Sequence, residues 1–221
     1  MKFYAVNGSP RKNWNTATLL DHALEGIKSV VPEADCERID LYDHTYTGCI
    51  SCFACKRIGG KSFGKCAKKD EITEVIEKLS EADGIIFGSP VYFHDITAQL
   101  RALLERLLFA YLAYTKEYDS LAPKRMPTAF LYTMNVTEEN MWKMGYPERL
   151  ARMEGFVERV FRRPEILYVN NTCQFDEYGK YVASRFNEEE KLRYREEHFP
   201  EDCRKAYQLG EQIARNARPH I

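Results

Sequence analysis

The fold is decided by the stretch Phe3-Tyr4-Ala5-Val6-Asn7-Gly8-Ser9-Pro10-Arg11-Lys12-Asn13-Trp14-Asn15-Thr16. An apolar run opens this stretch, and a helical pattern begins near Thr16. A strand that ends in a polar loop and leads into a helix favours an anion, because backbone N–H groups and the helix dipole face it. Ser9, Asn15 and Thr16 add hydrogen-bond donors, and Arg11 adds a charged donor. The loop predicts a phosphorylated ligand, and a polar turn that only caps a helix is the alternative interpretation.

The glycine content of the same loop indicates which class of phosphorylated ligand it binds. Between Asn7 and Thr16 the only glycine is Gly8, whereas a dinucleotide fingerprint needs G-x-G-x-x-G so that a pyrophosphate can approach bare backbone. A G-K-[ST] triplet does not follow either, which argues against a nucleoside triphosphatase loop. A terminal phosphate monoester surrounded by side-chain donors fits the loop better.

A second strand-to-helix loop follows the buried strand predicted at Gly84–Gly88. It reads Ser89-Pro90-Val91-Tyr92-Phe93-His94 and leads into a second helical pattern. Because the carboxyl ends of parallel strands meet at one edge of a sheet, both loops would face the same crevice. One loop offers the phosphate site, and the other offers a proline and two aromatic side chains to a flat aromatic ring.

These two motifs, N-G-S-P-R-K-N-x-N-T at 7–16 and G-S-P-V-Y-F at 88–93, resemble the NADPH-dependent FMN reductase family of flavodoxin-like proteins. More specifically, they resemble its iron-sulfur flavoprotein branch. The resemblance implies bound FMN, with NAD(P)H as co-substrate. It also implies a flavodoxin-like α/β fold: a doubly wound, five-stranded parallel sheet in the order 2-1-3-4-5, in a three-layer α/β/α arrangement.

In this fold the ligand crevice lies between the first and third strands, and a third loop after the fourth strand reaches it. The resemblance implies that polar groups of this third loop, Thr133 to Asn135, contact the flavin ring. The predicted cofactor-binding residues are Ser9, Arg11, Asn13, Asn15, Thr16, Pro90, Val91, Tyr92, Phe93, Thr133 and Asn135.

The whole chain alternates predicted strands and helices. Strands are expected at Lys2–Asn7, Asp35–Leu41, Gly84–Gly88, Thr128–Met134 and Glu165–Val169, and helices at Thr16–Val30, Glu71–Ala82, Thr97–Ala113 and Tyr146–Arg162. The charged stretch from Asn187 to Arg218 is predicted to pack as a terminal helix interrupted by Pro200. We expect one FMN-binding domain over 1–221, with a cysteine-rich insertion at about 45–70, because repeats and Gly/Ser-rich linkers are absent from the sequence.

Composition excludes several function classes. The chain has 221 residues, of which 44% are apolar and 29% charged, as in an ordinary soluble domain. A net charge of -1 gives no reason to expect nucleic acid or an anionic membrane as partner. Neither a run of roughly 20 apolar residues nor a signal-peptide pattern is present, so we expect a cytoplasmic protein. In that compartment the seven cysteines should be thiols or ligands.

Four cysteines form a second candidate site. Cys49, Cys52 and Cys55 have C-x2-C-x2-C spacing, which suits an iron-sulfur cluster, and Cys66 could be the fourth ligand. Nearby lysines and Arg57 would offset the charge of the thiolates and lower the thiol pKa values. In the branch that the chain resembles, the fourth cysteine lies closer to the third. A [4Fe-4S] cluster, zinc or another metal, and metal-free thiols therefore stay open.

Two residues depart from the pattern of the family. Trp14 stands where the family has Gly, so either the loop keeps a negative φ or its path differs. His94 stands where a small residue is common. It is interpreted either as a donor to the flavin or a proton source for substrate, or as a histidine with a satisfied ring nitrogen.

The predicted third helix carries more apolar residues than one helix face requires, which more often marks a partner helix than a cofactor contact. These residues are Leu103, Leu104, Leu107, Leu108, Tyr111, Leu112 and Tyr114. We therefore expect a homodimer or a dimer of dimers.

These patterns together predict an FMN-dependent oxidoreductase. It would pass electrons from NAD(P)H or a reduced carrier to an unknown acceptor, namely a flavin, a quinone or a redox protein. The alternatives are a non-enzymatic electron-transfer iron-sulfur flavoprotein and a thiol or metal redox sensor on a flavodoxin-like scaffold. A catalytic residue is not predicted, because the sequence shows neither a serine-histidine-acid constellation nor a metal-hydrolase motif nor paired catalytic carboxylates.

Overall fold

A computed structural model describes residues 1–117 and 119–217. Its centre is one parallel sheet of five strands, which are β1 (Lys2–Asn7), β2 (Asp35–Asp40), β3 (Gly84–Pro90), β4 (Thr128–Thr133) and β5 (Glu165–Val169). The strand order is β2-β1-β3-β4-β5, which confirms the predicted order. The direction of winding reverses between β1 and β3, where Asn7 pairs with Gly88 at the carboxyl edge.

Six helices cover this sheet in the described residues. They are α1 (Asn15–Val30), α2 (Thr73–Ser80), α3 (Ala98–Tyr111), α4 (Glu138–Lys143), α5 (Tyr146–Val160) and α6 (Glu188–Ala217). The short helix α4 was not predicted, because six residues are too few to show a helical period. Its cap is visible in the structure, where the Thr137 side chain accepts a hydrogen bond from the Asn140 N–H at 3.4 Å.

The strands place alternate side chains on opposite faces of the sheet. Phe3 and Ala5 of β1 pack with α1 and α6, and Tyr4 and Val6 pack with α2, α3 and α5. The protein therefore has two apolar cores, one on each side of the sheet. This is the predicted arrangement of three layers.

The C-terminal helix differs from its prediction. The expected interruption at Pro200 is wrong, since α6 runs without a break from Glu188 to Ala217. The end predicted at Arg218 lies outside the described residues. A proline inside a helix removes one hydrogen bond and costs about 3 kcal/mol, so favourable packing must offset this cost.

That packing is a close crossing of α6 over α1. A Cβ at Gly26 of α1 would lie 1.9 Å from the Tyr207 carbonyl oxygen, and a Cβ at Gly210 of α6 would lie 1.9 Å from the Ala23 carbonyl oxygen. Glycine at both positions lets the two backbones touch. The contact buries Leu209, which belongs to the same apolar core as α1.

The apolar surface of α3 is also explained differently from the prediction. The side chains from Leu103 to Tyr111 that were assigned to a partner helix are buried within the chain, and α2 and Tyr46 pack against the same core. Only Leu112 and Tyr114 at the end of the stretch are half-buried or exposed. The premise of the dimer prediction was therefore wrong, although the dimer itself stays a prediction.

The cysteine-rich segment, residues 44–72, lies against α3 and is mostly irregular, with one short 3-10 turn at Ala54–Lys56. Gly48 lies against α3, because a Cβ there would lie 2.4 Å from Glu105 Oε2 and in ordinary contact, at 3.6 Å, with the Cα of Ala102. Among the described helices, none combines the length and the apolar character that a membrane crossing requires.

Candidate functional site

The carboxyl ends of β1 and β3 are joined directly. The Gly8 N–H donates to the Gly88 carbonyl at 2.8 Å, and the Thr97 hydroxyl donates to the Gly8 carbonyl at 2.8 Å. The Thr97 N–H in turn donates to the Ser89 hydroxyl at 3.0 Å. A Cβ at Gly8 would lie only 3.0 Å from the Gly88 oxygen, so glycine permits this contact. The two loops therefore diverge from a fixed point, which is where open α/β sheets bind ligands.

The loop between β1 and α1 is folded by its own polar groups. Asn7 Oδ1 accepts from the Ser9 N–H at 3.0 Å, and Ser9 Oγ accepts from the Arg11 N–H at 3.1 Å. Trp14 has a φ of -124°, which is extended backbone, so the loop keeps a negative φ without a glycine. Helix α1 begins at Asn15, and the N–H groups of its first turn are the ones that favour an anion.

A cavity of about 180 Å³ opens at this edge of the sheet. The structure brings the three predicted loops together around it. The predicted residues that line it are Ser9, Arg11, Asn15, Thr16, Pro90, Val91, Tyr92, Thr133 and Asn135. Asn13 and Phe93 are not among the lining residues. Asn13 is exposed, and Phe93 has a φ of 50° and a fully exposed side chain.

Two of the lining side chains already have partners in the protein. Asn15 Nδ2 donates to the Cys173 carbonyl at 2.9 Å, and Asn15 Oδ1 accepts from Arg195. A phosphate would therefore meet the backbone N–H of Asn15 rather than its side chain. Arg11 donates one of its N–H groups to the Gln174 carbonyl, which leaves other groups of the guanidinium for a ligand.

A fourth loop, which follows β5, also lines the cavity and was not predicted. Its lining residues are Thr172, Cys173, Gln174 and Phe175. The Trp14 indole N–H donates to the Cys173 carbonyl at 3.0 Å and ties this loop to the loop after β1. The signal was present in the sequence, because a fifth parallel strand must end at the same edge of the sheet as the others.

Arg195 of α6 contacts two residues that line the cavity, Trp14 and Asn15. Its guanidinium carbon lies 5.3 Å from the centre of the Trp14 ring and 4.4 Å from that of Phe199, and it donates to Asn15 Oδ1. Arginine over an aromatic face is attracted by the ring. No sequence signal could have found this residue, since Arg195 and Asn15 are 180 positions apart and meet only because α6 crosses α1.

Lys191 places a buried positive charge beside the cavity. Its ammonium group donates to Asn171 Oδ1 at 2.7 Å, to the Asn171 carbonyl at 2.9 Å and to the Thr172 carbonyl at 3.0 Å. Burial lowers the pKa of Lys191 below its ordinary value. The lysine holds the loop after β5 in place, and a longer contact of 3.4 Å reaches the Asn135 carbonyl after β4.

A larger cavity of about 580 Å³ adjoins the first one, and Asn135 lines both. It lies between α4 and the beginning of α6, with Lys191 among its lining residues. Arg185 and Arg193 also line it, and within residues 1–117 and 119–217 neither guanidinium has a hydrogen-bond or ion-pair partner. This larger cavity therefore has two arginines without a partner in the described residues, together with the carboxylates of Glu190 and Glu197.

His94 lies beside the site rather than in its lining. It has a φ of 68°, and its ring centre lies 4.6 Å from the ring centre of Tyr146. Its Nδ1 is buried and has no hydrogen-bond partner in the described part of the chain. The interpretation of His94 as a histidine with a satisfied ring nitrogen does not hold for this atom.

The four predicted cysteines surround one small cavity of about 20 Å³, which α3 closes on one side. The Ser51 N–H donates to Cys49 Sγ at 3.4 Å, and Arg106 Nε donates to Cys66 Sγ at 3.4 Å. Four thiols around one cavity, two of which accept an N–H donor at sulfur, suit an iron-sulfur cluster in chemical type. In the described residues, however, no three His, Cys, Asp or Glu side chains are already arranged to hold a metal ion. A cavity of about 20 Å³ is too small for a cluster, so the segment would have to rearrange when one binds.

The expectation that nearby basic residues lower the thiol pKa is wrong for Cys55. Burial raises the pKa of the Cys55 thiol above its ordinary value, and the charge of Lys56 lowers it only in part. Lys56 instead donates to the carbonyl groups of Phe109, Ala110 and Leu112 at the end of α3. At Cys55 the effect of burial therefore outweighs the charge of Lys56.

The chain resembles curated proteins along two different lengths. An iron-sulfur flavoprotein of Methanocaldococcus jannaschii is 42% identical over 106 residues, which are 48% of this chain and 51% of that protein. The chain thus spans about half the length of this relative. An iron-sulfur flavoprotein of Archaeoglobus fulgidus is 33% identical over 215 residues, which are 97% of this chain and 79% of that protein.

Solved structures share the fold at low identity. A NAD(P)H:quinone oxidoreductase from Methanothermobacter marburgensis has a TM-score of 0.68 and 16% identity, with 96% of this chain and 98% of that chain covered. An azoreductase from Bacillus anthracis has a TM-score of 0.63 and 17% identity, with the same coverage of 96% and 98%. The model of the NADPH-dependent FMN reductase family matches residues 1–133. The chain belongs to this family and is close to its iron-sulfur flavoprotein branch.

Proposed function

We propose that this chain is an FMN-dependent oxidoreductase that passes electrons from NAD(P)H, or from a reduced carrier, to a flavin, a quinone or a redox protein. The observation that carries the proposal is the 180 Å³ cavity, where the N-terminus of α1 meets three further loops at the reversal point of the sheet. The anion site lies next to the loop that carries Tyr92 and the loop that carries Asn135. This arrangement suits a ligand that has a phosphate at one end and a flat ring at the other. When bound, FMN supplies both two-electron and one-electron transfer.

Different residues of the cavity would bind the phosphate and the ring of FMN. Ser9, Arg11, Thr16 and the first N–H groups of α1 would hold the phosphate, because all of them are donors. Pro90, Val91, Tyr92, Thr133 and Asn135 would hold the ring. Ligand pockets usually measure about 300–1,000 Å³, so a cavity of about 180 Å³ encloses only part of FMN. The ring would extend over the exposed Tyr92, which leaves room for a second ring to stack.

The 580 Å³ cavity supports NAD(P)H as the electron donor. It adjoins the first cavity through Asn135, and Arg185 and Arg193 offer charged donors for phosphate groups. A nicotinamide stacked at the first cavity would leave the rest of the dinucleotide within reach of these arginines.

Two measurements test this proposal. The first is the flavin released from purified or reconstituted protein, which should be FMN in a one-to-one ratio, since the loop lacks the second glycine that a pyrophosphate needs. The second is steady-state oxidation of NADH or NADPH with a quinone as acceptor. Protein without flavin would favour the redox sensor, and protein with FMN but without turnover would favour the electron carrier.

We also propose that Cys49, Cys52, Cys55 and Cys66 hold a [4Fe-4S] cluster. The support is that all four thiols line one cavity and that two of their sulfur atoms accept N–H donors. Thiolate-bound clusters exchange single electrons, so a cluster here would relay electrons between FMN and an outside redox protein. Iron and sulfide assays on protein purified without oxygen distinguish a cluster from zinc and from free thiols.

The proposed assembly is a homodimer or a dimer of dimers in the cytoplasm, without a nucleic-acid or membrane partner. Exposed aromatic side chains at Tyr114 and Phe156 give it some support. The mass in solution, measured by light scattering, decides between monomer and dimer.

A further inference from the structure

Among the charged side chains in the described residues, Arg106 is the most buried, and the proposed FMN site does not use it. It lies on α3 with 1% of its surface exposed. Nη1 donates to both carboxylate oxygens of Asp70 at 2.7 Å, and Nη2 donates to the Lys68 carbonyl at 2.8 Å. A buried charge is tolerated only when it is paired and hydrogen-bonded, and Arg106 meets both conditions.

The partners of Arg106 lie at both ends of the cysteine-rich segment. A longer contact of 3.5 Å joins Nη1 to the carbonyl of Thr47, two residues before Cys49. Lys68 and Asp70 lie two and four residues after Cys66. One guanidinium on a rigid helix therefore fixes where the segment begins and where it ends.

The third nitrogen of the Arg106 guanidinium, Nε, contacts a cysteine. Nε donates to Cys66 Sγ at 3.4 Å, and Arg106 lines the cavity that the four cysteines share. Ten residues separate Cys55 from Cys66, and a longer loop loses more entropy when its ends are brought together. A contact that fixes Cys66 in advance removes part of this cost.

We infer that Arg106 is the positioning residue that holds Cys66 at the cysteine cavity, so that Cys66 can act as fourth ligand despite its distance in sequence. The inference rests on the proposed cluster. An N–H donor to a ligating sulfur also stabilises the charge of the thiolate. Lysine cannot replace this arginine, because its single ammonium group lacks the planar fork that reaches Asp70, Lys68 and Cys66 together.

The test compares variants of the full chain after anaerobic reconstitution with iron and sulfide. Arg106→Lys keeps the charge but loses the fork. Arg106→Met combined with Asp70→Leu removes the buried pair as a unit, which often leaves stability unchanged. The matched control is Arg101→Lys on the same helix, where Arg101 is half exposed and contacts Glu105. The readouts are iron and sulfide per chain, the rate at which an iron chelator bleaches the cluster, and FMN content.

Both Arg106 variants should keep FMN but lose the cluster to the chelator about 10- to 100-fold faster, because removing a partner of a metal ligand weakens metal affinity by about that factor. Arg101→Lys should behave like the wild type. An unchanged bleaching rate in the folded double variant would overturn the inference and leave the cluster proposal intact. A wild-type protein that contains FMN but takes up no iron would overturn both the cluster and the inference, and would leave the FMN oxidoreductase standing.

Discussion

The hydroxyl oxygens of Thr16 and Thr133 lie 2.8 Å apart, and both side chains are buried. Thr16 belongs to the first turn of α1, and Thr133 ends β4, so this hydrogen bond joins the predicted phosphate loop to a predicted ring loop. Each hydroxyl has one hydrogen to donate. When one donates to the other, the second keeps its own hydrogen for a ligand.

Removing a donor from the phosphate loop should weaken FMN binding. We expect Thr16→Ala and Arg11→Ala each to cost about 1 to 3 kcal/mol, the range for losing a charge-assisted hydrogen bond or leaving a buried partner unsatisfied. Loss of the Thr16 hydroxyl also leaves Thr133 without this partner. Titration of flavin-free protein with FMN, followed by flavin fluorescence, measures both changes.

Lys12 provides the control within the same loop. Its ammonium group pairs with Asp43 and its side chain is 47% exposed, so Lys12→Ala should change FMN affinity much less. Similar losses at Lys12, Arg11 and Thr16 would mean that the loop does not bind the phosphate in the way proposed.

The crossing of α1 and α6 gives a prediction about stability. In Gly26→Ala or Gly210→Ala the new Cβ would lie 1.9 Å from a backbone oxygen, which cannot turn aside as a side chain can. We expect each change to lower the free energy of unfolding by about 1 to 3 kcal/mol, as overpacked sites do. Urea denaturation followed by circular dichroism measures the change.

Gly155 in α5 is the matched control, because a Cβ there meets nothing within 4 Å. Gly155→Ala should raise the free energy of unfolding by about 0.5 to 1 kcal/mol, since alanine costs less entropy in a helix than glycine. If Gly26→Ala were equally harmless, α6 would not cross α1 as described.

The sheet and most of the cavity could be predicted because their signals are local. Strand runs and polar loops are contiguous in sequence, and the carboxyl edge of a parallel sheet collects the loops by topology alone. The same rule would have added Thr172 and Cys173 if it had been applied to the fifth strand. Asn15 shows the limit of this rule. It lies in the predicted loop, but its side chain already donates to the Cys173 carbonyl and accepts from Arg195.

Features that depend on distant partners could not be predicted. Pro200 lies inside a helix because α6 packs against α1, and this packing is not visible in the local sequence. Other elements of the same chain cover the apolar stripe of α3. The width of the stripe indicated that something packs against it, but did not show whether this was the same chain or a second copy. In the sequence, Arg106 does not differ from the other charged residues of the helix. Only the folded structure shows that it contacts Asp70 and Cys66.

The pair of Asp70 and Arg106 predicts a pH dependence of stability. Burial alone would raise the pKa of Asp70, but the hydrogen bonds from Arg106 outweigh it and hold the pKa below its ordinary value. A carboxyl whose pKa is lower in the folded state stabilises the protein above its unfolded pKa of about 3.9. This stabilisation is lost as the pH falls further, through the folded pKa.

Asp70→Asn should therefore lower the free energy of unfolding at neutral pH and have a smaller effect in acid. Urea denaturation between about pH 7 and pH 2 measures this difference, since the stabilisation declines below the unfolded pKa and protonation of folded Asp70 makes the wild type resemble the variant. Asp176→Asn, at an exposed position, is the control. An effect of Asp70→Asn that stays constant over this range would contradict the predicted shift.

A cysteine variant separates the two cofactors. Cys52→Ala should abolish the iron content and the broad visible absorption of a cluster in protein purified without oxygen. FMN binding should survive, because the residues that line the 180 Å³ cavity come from other parts of the chain. Sequence position alone suggests Cys36 and Cys173 as neutral controls, but Cys173 lines the FMN cavity and its carbonyl accepts from Trp14 and Asn15. Cys36 and Cys203 are therefore the better pair.

Oxygen should matter to this result, because Cys52 is exposed and the fourth ligand is distant in sequence. Exposed thiolate sites are the ones that oxidise first. We expect protein purified in air to contain FMN but little iron, and protein purified without oxygen to contain both. About four irons and four sulfides per chain after purification in air would contradict the first expectation. That result would mean that the loops close over the cluster more tightly than the exposure of Cys52 indicates.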